Sequence, residues 1–253
     1  MAFLKERLAR EGAVLNGVLA TIPSAVAAQA VASAGADFLL VDREHGPIGR
    51  ESLHAMIAAT AGTACGALVR VPAIDEAEVK LALDCGAEGV SFPMVRSAAD
   101  VERCVALLRY PPRGRRGWGP FVAHSHHGTS PAEYSTTVGP EISCWVQVET
   151  LEAVQSIGAI VAVPGLDAIV LAPFDLSIAL GVQGRFDAPR FVEAVEAVER
   201  AAAAAGIALC GVAFDARRAD ELTARGYRAL LRGIDVFMLK EATVAFRAPA
   251  PGA

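Results

Sequence analysis

Lysine is almost missing from this chain. Lys5, Lys80 and Lys240 are the only three among 23 basic residues, and none ends an apolar, β-branched run. Imine chemistry requires a lysine at such a place, so Schiff-base catalysis is not expected. Cysteine pairing is also missing: Cys65, Cys85, Cys104, Cys144 and Cys210 are odd in number, scattered and never in C-x-x-C spacing. They read as reduced small hydrophobes of a cytoplasmic protein, not as bridges or zinc ligands. No G-x-G-x-x-G follows the first apolar run, which removes the usual dinucleotide-binding signature. The uncharged stretches 54–69 and 201–214 fall short of the roughly 20 residues of a membrane span, the longer one at 12–36 is broken by Asn16, Pro23, Ser24 and Gln29, and Lys5-Glu6-Arg7 interrupts the start before a signal peptide could form. Nor is there an excess of positive charge. A net charge of −5 and a pI near 5.6 make nucleic acid and anionic membranes poor partners.

What is present is an alternation. Of the 253 residues, 53% are apolar, enough for a large core. Strand-like runs fall at residues 13–20, 37–41, 67–70, 89–93, 142–149, 166–171, 207–212 and 228–231, with helical patterns between most of them. The opening residues 3–11 are amphipathic, and Ser24 and Asp75 stand where helix N-caps belong. Eight strands at about 25-residue pitch predict an α/β fold, a single-domain (β/α)8 TIM barrel over residues 1–247. Residues 248–253 read as a disordered tail, and a doubly wound open sheet is the structural alternative. Residues 110–141 carry no periodicity and are rich in Pro, Gly, His and Ser, so a long functional loop is expected there.

Barrels of this kind carry their chemistry at the carboxyl ends of the strands. Those positions hold Asp42, Glu44 and His45 after the second run, Arg70 after the third, Gln147 and Glu149 after the fifth, and Asp175 after the sixth. Parallel strands lie about 4.8 Å apart, so Glu149 and Asp175 can share one hard cation. Two carboxylates at one rim are costly without a positive charge between them, which makes a metal-dependent enzyme the leading reading. Arg70 cannot deprotonate, and the imidazole of His45 is a side chain that can carry a proton to or from a substrate.

Several segments together carry a resemblance: Val41-Asp42-Arg43-Glu44-His45-Gly46-Pro47, Val69-Arg70-Val71-Pro72, Gly86-Ala87-Glu88-Gly89-Val90, Val146-Gln147-Val148-Glu149-Thr150 and Ala172-Pro173-Phe174-Asp175. In that order they resemble the HpcH/HpaI family of class II pyruvate aldolases across nearly the whole chain. The resemblance implies a hexameric barrel using Mg²⁺, Mn²⁺ or Co²⁺ for reversible cleavage of a 4-hydroxy-2-oxo acid to pyruvate, or a close 2-oxo acid such as hydroxypyruvate, and an aldehyde. It carries the metal ligands onto Glu149 and Asp175, with the substrate's own oxygens completing the shell. Arg70 stabilises the enolate oxygen, His45 paired with Asp42 is the acid/base element, and Gln147, Ala172 and Pro173 touch substrate.

Arg43, Leu19 and the stretch Arg232-Gly233-Ile234-Asp235 depart from the family pattern, and Arg43 is expected either to alter acceptor preference or to pair with Glu44. His124-Ser125-His126-His127 suggests a loop closing a pocket or interface more than a zinc site. Residues 113–116 fit either a grip on phosphate or carboxylate, or solvated arginines at a subunit contact. Two alternatives to the aldolase stay open: a citrate lyase β-like acyl-CoA lyase, and a non-catalytic 2-oxo acid binding protein.

Overall fold

The structure, a computed structural model, describes residues 2–246. The expectation of a disordered tail lies outside those residues. Eight strands form a closed barrel: β1 (Leu15–Ala20), β2 (Phe38–Asp42), β3 (Gly66–Arg70), β4 (Gly89–Phe92), β5 (Ser143–Val148), β6 (Ala168–Leu171), β7 (Ala208–Val212) and β8 (Ala229–Ile234). Each pairs in parallel with its sequence neighbour, and β8 pairs back onto β1. The chain is therefore a (β/α)8 barrel. The predicted last strand stops at residue 231, whereas β8 continues to Ile234; a register shift opposite Gly17 and Val18 accommodates the extra length.

Alternation along the strands sorts the apolar residues into two cores. Phe38, Leu40, Leu68, Trp145, Val170 and Leu231 fill the barrel interior, while Leu39, Val41, Val69, Val90, Val146 and Ile169 belong to the layer under the helices. Gly17 is needed on β1 because a Cβ there would strike the Phe38 ring. The indole N–H of Trp145 donates to Ser143 Oγ at 2.7 Å, so the largest interior side chain leaves no polar atom stranded. The amphipathic opening forms the helix Leu4–Ala9, which lowers Leu4 and Leu8 onto the interior cluster and plugs the amino end of the barrel.

Helix starts follow local chemistry. The Ser24 hydroxyl accepts from Ala27 N–H, the Asp75 carboxylate from Ala77 and Glu78, and Thr150 Oγ1 from Ala153. Three helices had no sequence signal: Leu151–Gln155, Ile157–Val161 and Pro173–Ala179. They are too short for a 3.6-residue period to repeat.

The expectation of an unstructured segment at 110–141 needs correction. It contains the helices Ala123–His126 and Pro131–Thr137 and the 3₁₀ turn Gly139–Glu141, the second helix opened by a Ser130–Glu133 capping box. Each of the two helices buries a single residue, Ala123 and Tyr134, so no pattern accumulates. Among the described residues no helix is long and apolar enough to cross a membrane.

Candidate active site

Period-two alternation and strand register assemble the site. Asp42 follows Phe38 and Leu40 on the inner face of β2, and Arg70 follows Leu68 on β3; the two are register partners at adjacent strand ends. Gln147 follows Trp145 inward on β5, and Glu149 comes two residues later. All four meet at the carboxyl mouth.

Arg70 is the hub. Its Nε and Nη2 donate to the two oxygens of Asp42 at 2.8 and 2.7 Å, a bidentate fork. Its Nη1 donates to Gln147 Oε1 at 3.2 Å and lies 3.3 Å from Glu44 Oε2, while Gln147 Nε2 donates to the same Glu44 oxygen at 3.3 Å. Burial works against the charge on Arg70, but the hydrogen bond and charge of Asp42, then Glu44 and Glu149, outweigh it and raise its pKa above the ordinary value. The guanidinium is thus a fixed positive charge in a set direction.

Glu149 is buried just past β5, where its Oε1 accepts the backbone N–H of Met94, a residue in the left-handed region at φ 55°. Burial pushes its carboxyl pKa up. The Met94 N–H pulls it down, Glu44 and Asp175 push it up again, and Arg70 opposes them. Asp175 sits exposed in the first turn of the helix Pro173–Ala179. A cavity of about 110 Å³ opens beside these groups, lined on one side by the polar Arg70, Gln147 and Asp175 together with Ala172 and Pro173. Leu19, Leu40, Val170, Val212, Phe214 and Leu231 form its apolar side. A larger hollow of about 510 Å³ lies beside it and shares Pro173 and Phe174, but none of the converging polar groups reaches it.

The donor set suits a hard divalent cation. Among the described residues no three His, Cys, Asp or Glu side chains form a ready-made metal cage. Glu149 and Asp175 would supply two oxygens and leave the remaining positions to substrate. Glu149 carries a charge that burial and two other carboxylates oppose, and such a charge is relieved by a cation. Ser91 Oγ, buried and in register with Arg70 on the neighbouring strand β4, has no hydrogen-bond partner among the described residues, so the strand ends keep unused polar capacity.

Several expectations change. The pairing of Asp42 with the His45 imidazole is not formed: both Asp42 oxygens are taken by Arg70, and only the backbone N–H groups of Glu44 and His45 reach Oδ1, at 3.0 and 3.2 Å. This Asx turn brings the chain back onto itself so tightly that a Cβ at Gly46 would strike the Asp42 carbonyl. The His45 ring is 69% exposed, and its nearest carboxylate is Glu44, 3.9 Å from Nε2. Arg43 faces away from the mouth, bonded to Glu78 and to the Ile48 carbonyl, so it ties the loop after β2 to the helix Glu76–Asp84. The histidine loop precedes β5 and packs at the opposite end, His126 over Gly86 and His127 against Phe3, so it cannot close this pocket. Arg232 bonds the Ala213 carbonyl and Asn16, a structural tie.

Two contributors gave no sequence signal. The Met94 N–H is one. Asp235 is the other: it accepts from Thr21 N and Oγ1, Ile22 N and Val236 N, fastening the closing helix Asp235–Ala245 to the end of β1.

The chain is similar to known proteins over nearly its whole length. A family model described as HpcH/HpaI aldolase/citrate lyase matches residues 19–242. The chain is 36% identical over 261 residues to a hydroxypyruvate/pyruvate aldolase of Pseudomonas aeruginosa, covering 98% of this chain and 95% of that one. It is 38% identical over 234 residues to a 4-hydroxy-2-oxovalerate aldolase of Novosphingobium aromaticivorans, covering 90% and 87%. The crystal structure of an HpcH/HpaI aldolase from Desulfitobacterium hafniense DCB-2 superposes with a TM-score of 0.90 at 33% identity, covering 100% and 99%.

Proposed function

The chain belongs to the HpcH/HpaI aldolase/citrate lyase family, and from that premise we propose that it is a divalent-metal-dependent class II aldolase. It is a carbon–carbon lyase. Its substrate is a 4-hydroxy-2-oxo acid, cleaved reversibly to pyruvate or hydroxypyruvate and an aldehyde, in line with the names of its relatives. The observation that carries this reading is the caged Arg70 at the rim of the cavity that Asp175 also lines, with Glu149 close enough to add to its charge balance.

Glu149 and Asp175 would hold the cation, with Mg²⁺, Mn²⁺ or Co²⁺ as candidates. When bound, it supplies Lewis-acid polarisation of the 2-oxo group. The chain's own residues do the rest. Arg70 is aimed at the oxygen on which negative charge grows as the C3–C4 bond breaks, and Asp42 and Gln147 keep it there without reorganisation. His45, free at the rim, takes the C4 hydroxyl proton while the bonding pair stays on C3; the aldehyde departs, and C3 is then protonated to give the 2-oxo acid. The apolar wall from Leu19 to Phe214 receives the aldehyde substituent.

Solvent deuterium entry into the methyl group of pyruvate tests the reading. Exchange should require Mn²⁺ or Mg²⁺ and vanish in Glu149→Gln. Full exchange after exhaustive chelation refutes metal dependence, and no exchange with any metal favours a non-catalytic 2-oxo acid binder. An aldehyde panel with pyruvate and hydroxypyruvate as donors then identifies the acceptor.

The same proposal includes a homo-oligomer, a hexamer by resemblance, and a cytoplasmic location consistent with five free cysteines. The closing helix leaves Val236, Phe237, Met238, Leu239 and Val244 exposed, more contiguous apolar surface than a solvent face carries. Light scattering should report an assembly that Leu239→Glu disrupts.

A further inference from the structure

We propose that the amino end of the barrel holds a second binding site, one for a small organic dianion, formed by Lys5, Arg109 and Arg113. A cavity of about 640 Å³ opens there. Three cations from separate segments line it: Lys5 on the helix Leu4–Ala9, Arg109 at the end of the helix Ala98–Leu108, and Arg113 in the loop that follows. No acid lines it. The carboxylate behind it is Asp167, 3.4 Å from Lys5 Nζ and 3.9 Å from Arg109 Nη2. One acid against three bases leaves a surplus of two positive charges, in a protein whose net charge is −5.

The hydrogen bonding agrees with the charge. Arg109 Nη1 donates to the Ile142 carbonyl at 2.7 Å, but its Nη2 is buried and has no hydrogen-bond partner. Buried guanidinium donors are costly to leave unpaired. Lys5 Nζ donates to the Pro140 carbonyl at 3.2 Å and keeps further donors. Arg113 is exposed and, among the described residues, has neither an ion pair nor a side-chain hydrogen bond. The Ser135 hydroxyl completes the polar lining, while Tyr110, Pro111 and Pro112 offer a rigid apolar wall. Fixed cations beside such a wall suit an anion with an apolar body, and a surplus of two matches a phosphate monoester or a dicarboxylate. The sign of the charge rules out a metal ion. The catalytic groups lie at the other end of the barrel, so this inference does not rest on the proposed reaction.

Isothermal titration calorimetry of the intact, metal-free protein at pH 7.5 tests it, with phenyl phosphate and phthalate as the two dianions and benzyl alcohol as the uncharged control. Saturable one-to-one binding of at least one dianion is expected, and which one binds identifies the source. Benzyl alcohol should give no saturable heat. Arg113→Glu, an exposed change that breaks no contact, should weaken binding roughly tenfold or more by reversing one of the three charges. Excess pyruvate, a monoanionic 2-oxo acid directed to the mouth, should leave binding unchanged. The proposal fails if neither dianion saturates, if Arg113→Glu binds as well as the parent, if pyruvate displaces the ligand, or if benzyl alcohol binds equally well.

Discussion

The two ends of the barrel treat a carboxylate shielded from solvent in opposite ways. At the amino end, Glu88 accepts the Leu4 N–H at 2.8 Å; burial raises its pKa, and the Leu4 N–H and then the Arg7 charge lower it. At the carboxyl end, burial raises Glu149 too, but there Glu44 and Asp175 push in the same direction as burial. The first arrangement is a brace, since the acid holds down the helix whose Leu4 and Leu8 seal the interior. The second accumulates like charge at an open cavity, which costs stability and is retained where a site needs it. One fold and one alternation rule thus give a packed floor and a polar mouth, and stability and chemistry should separate by mutation.

The sharpest break of that comparison is Glu149→Gln. The amide oxygen still accepts from Met94, but the proposed metal ligand is lost, so turnover should fall by more than about 10²-fold. In metal-free buffer the Tm should stay level or rise, because a buried charge opposed by two carboxylates is gone. A large fall in Tm would make Glu149 a structural acid like Glu88. Arg70→Lys comes next: it keeps the charge but loses the fork onto Asp42, and kcat should drop about 10²-fold. An unchanged kcat would remove Arg70 from the reaction.

The floor should behave the other way. Leu4 is fully buried against the interior cluster, so Leu4→Ala should cost about 2–5 kcal/mol in denaturant unfolding. Turnover per folded molecule should stay at the parent value at temperatures well below unfolding. Loss of activity in step with correct folding would show that the two ends are coupled.

The rim was readable because strand ends are. Buried parallel strands are apolar on both faces, so the first polar residue at a strand's carboxyl end stands out, as Asp42, Arg70 and Gln147 do. The partner of Asp42 was misread because proximity in sequence favours His45, three residues on. Register favours Arg70, twenty-eight residues on but directly alongside. The Met94 N–H was invisible, since a backbone donor has no side-chain signature and Met at φ 55° is not a residue type that announces a turn. The segment 110–141 hid its helices because a single anchor such as Tyr134 cannot make a period.

That segment supplies the smallest effect and the most selective check on the floor. His127 packs against Phe3 and Tyr134, with His126 edge-on and the Arg116 guanidinium close enough to repel its charged form. Burial first, then His126, lowers its pKa to about 4 from the ordinary 6.5. The folded state therefore binds this proton less readily than the unfolded chain does. The stability of the neutral ring is complete above about pH 6.5 and is lost progressively as the pH falls toward 4. His126, also lowered by burial and by His54, adds in the same direction. Replacing His127 with Phe keeps a ring between Phe3 and Tyr134 and removes the proton site, so the slope of Tm between pH 6.5 and 4.5 should flatten. Equal slopes in parent and variant would mean that His127 is not held neutral, and the acid sensitivity of this floor would then belong to His126, whose pKa burial also lowers.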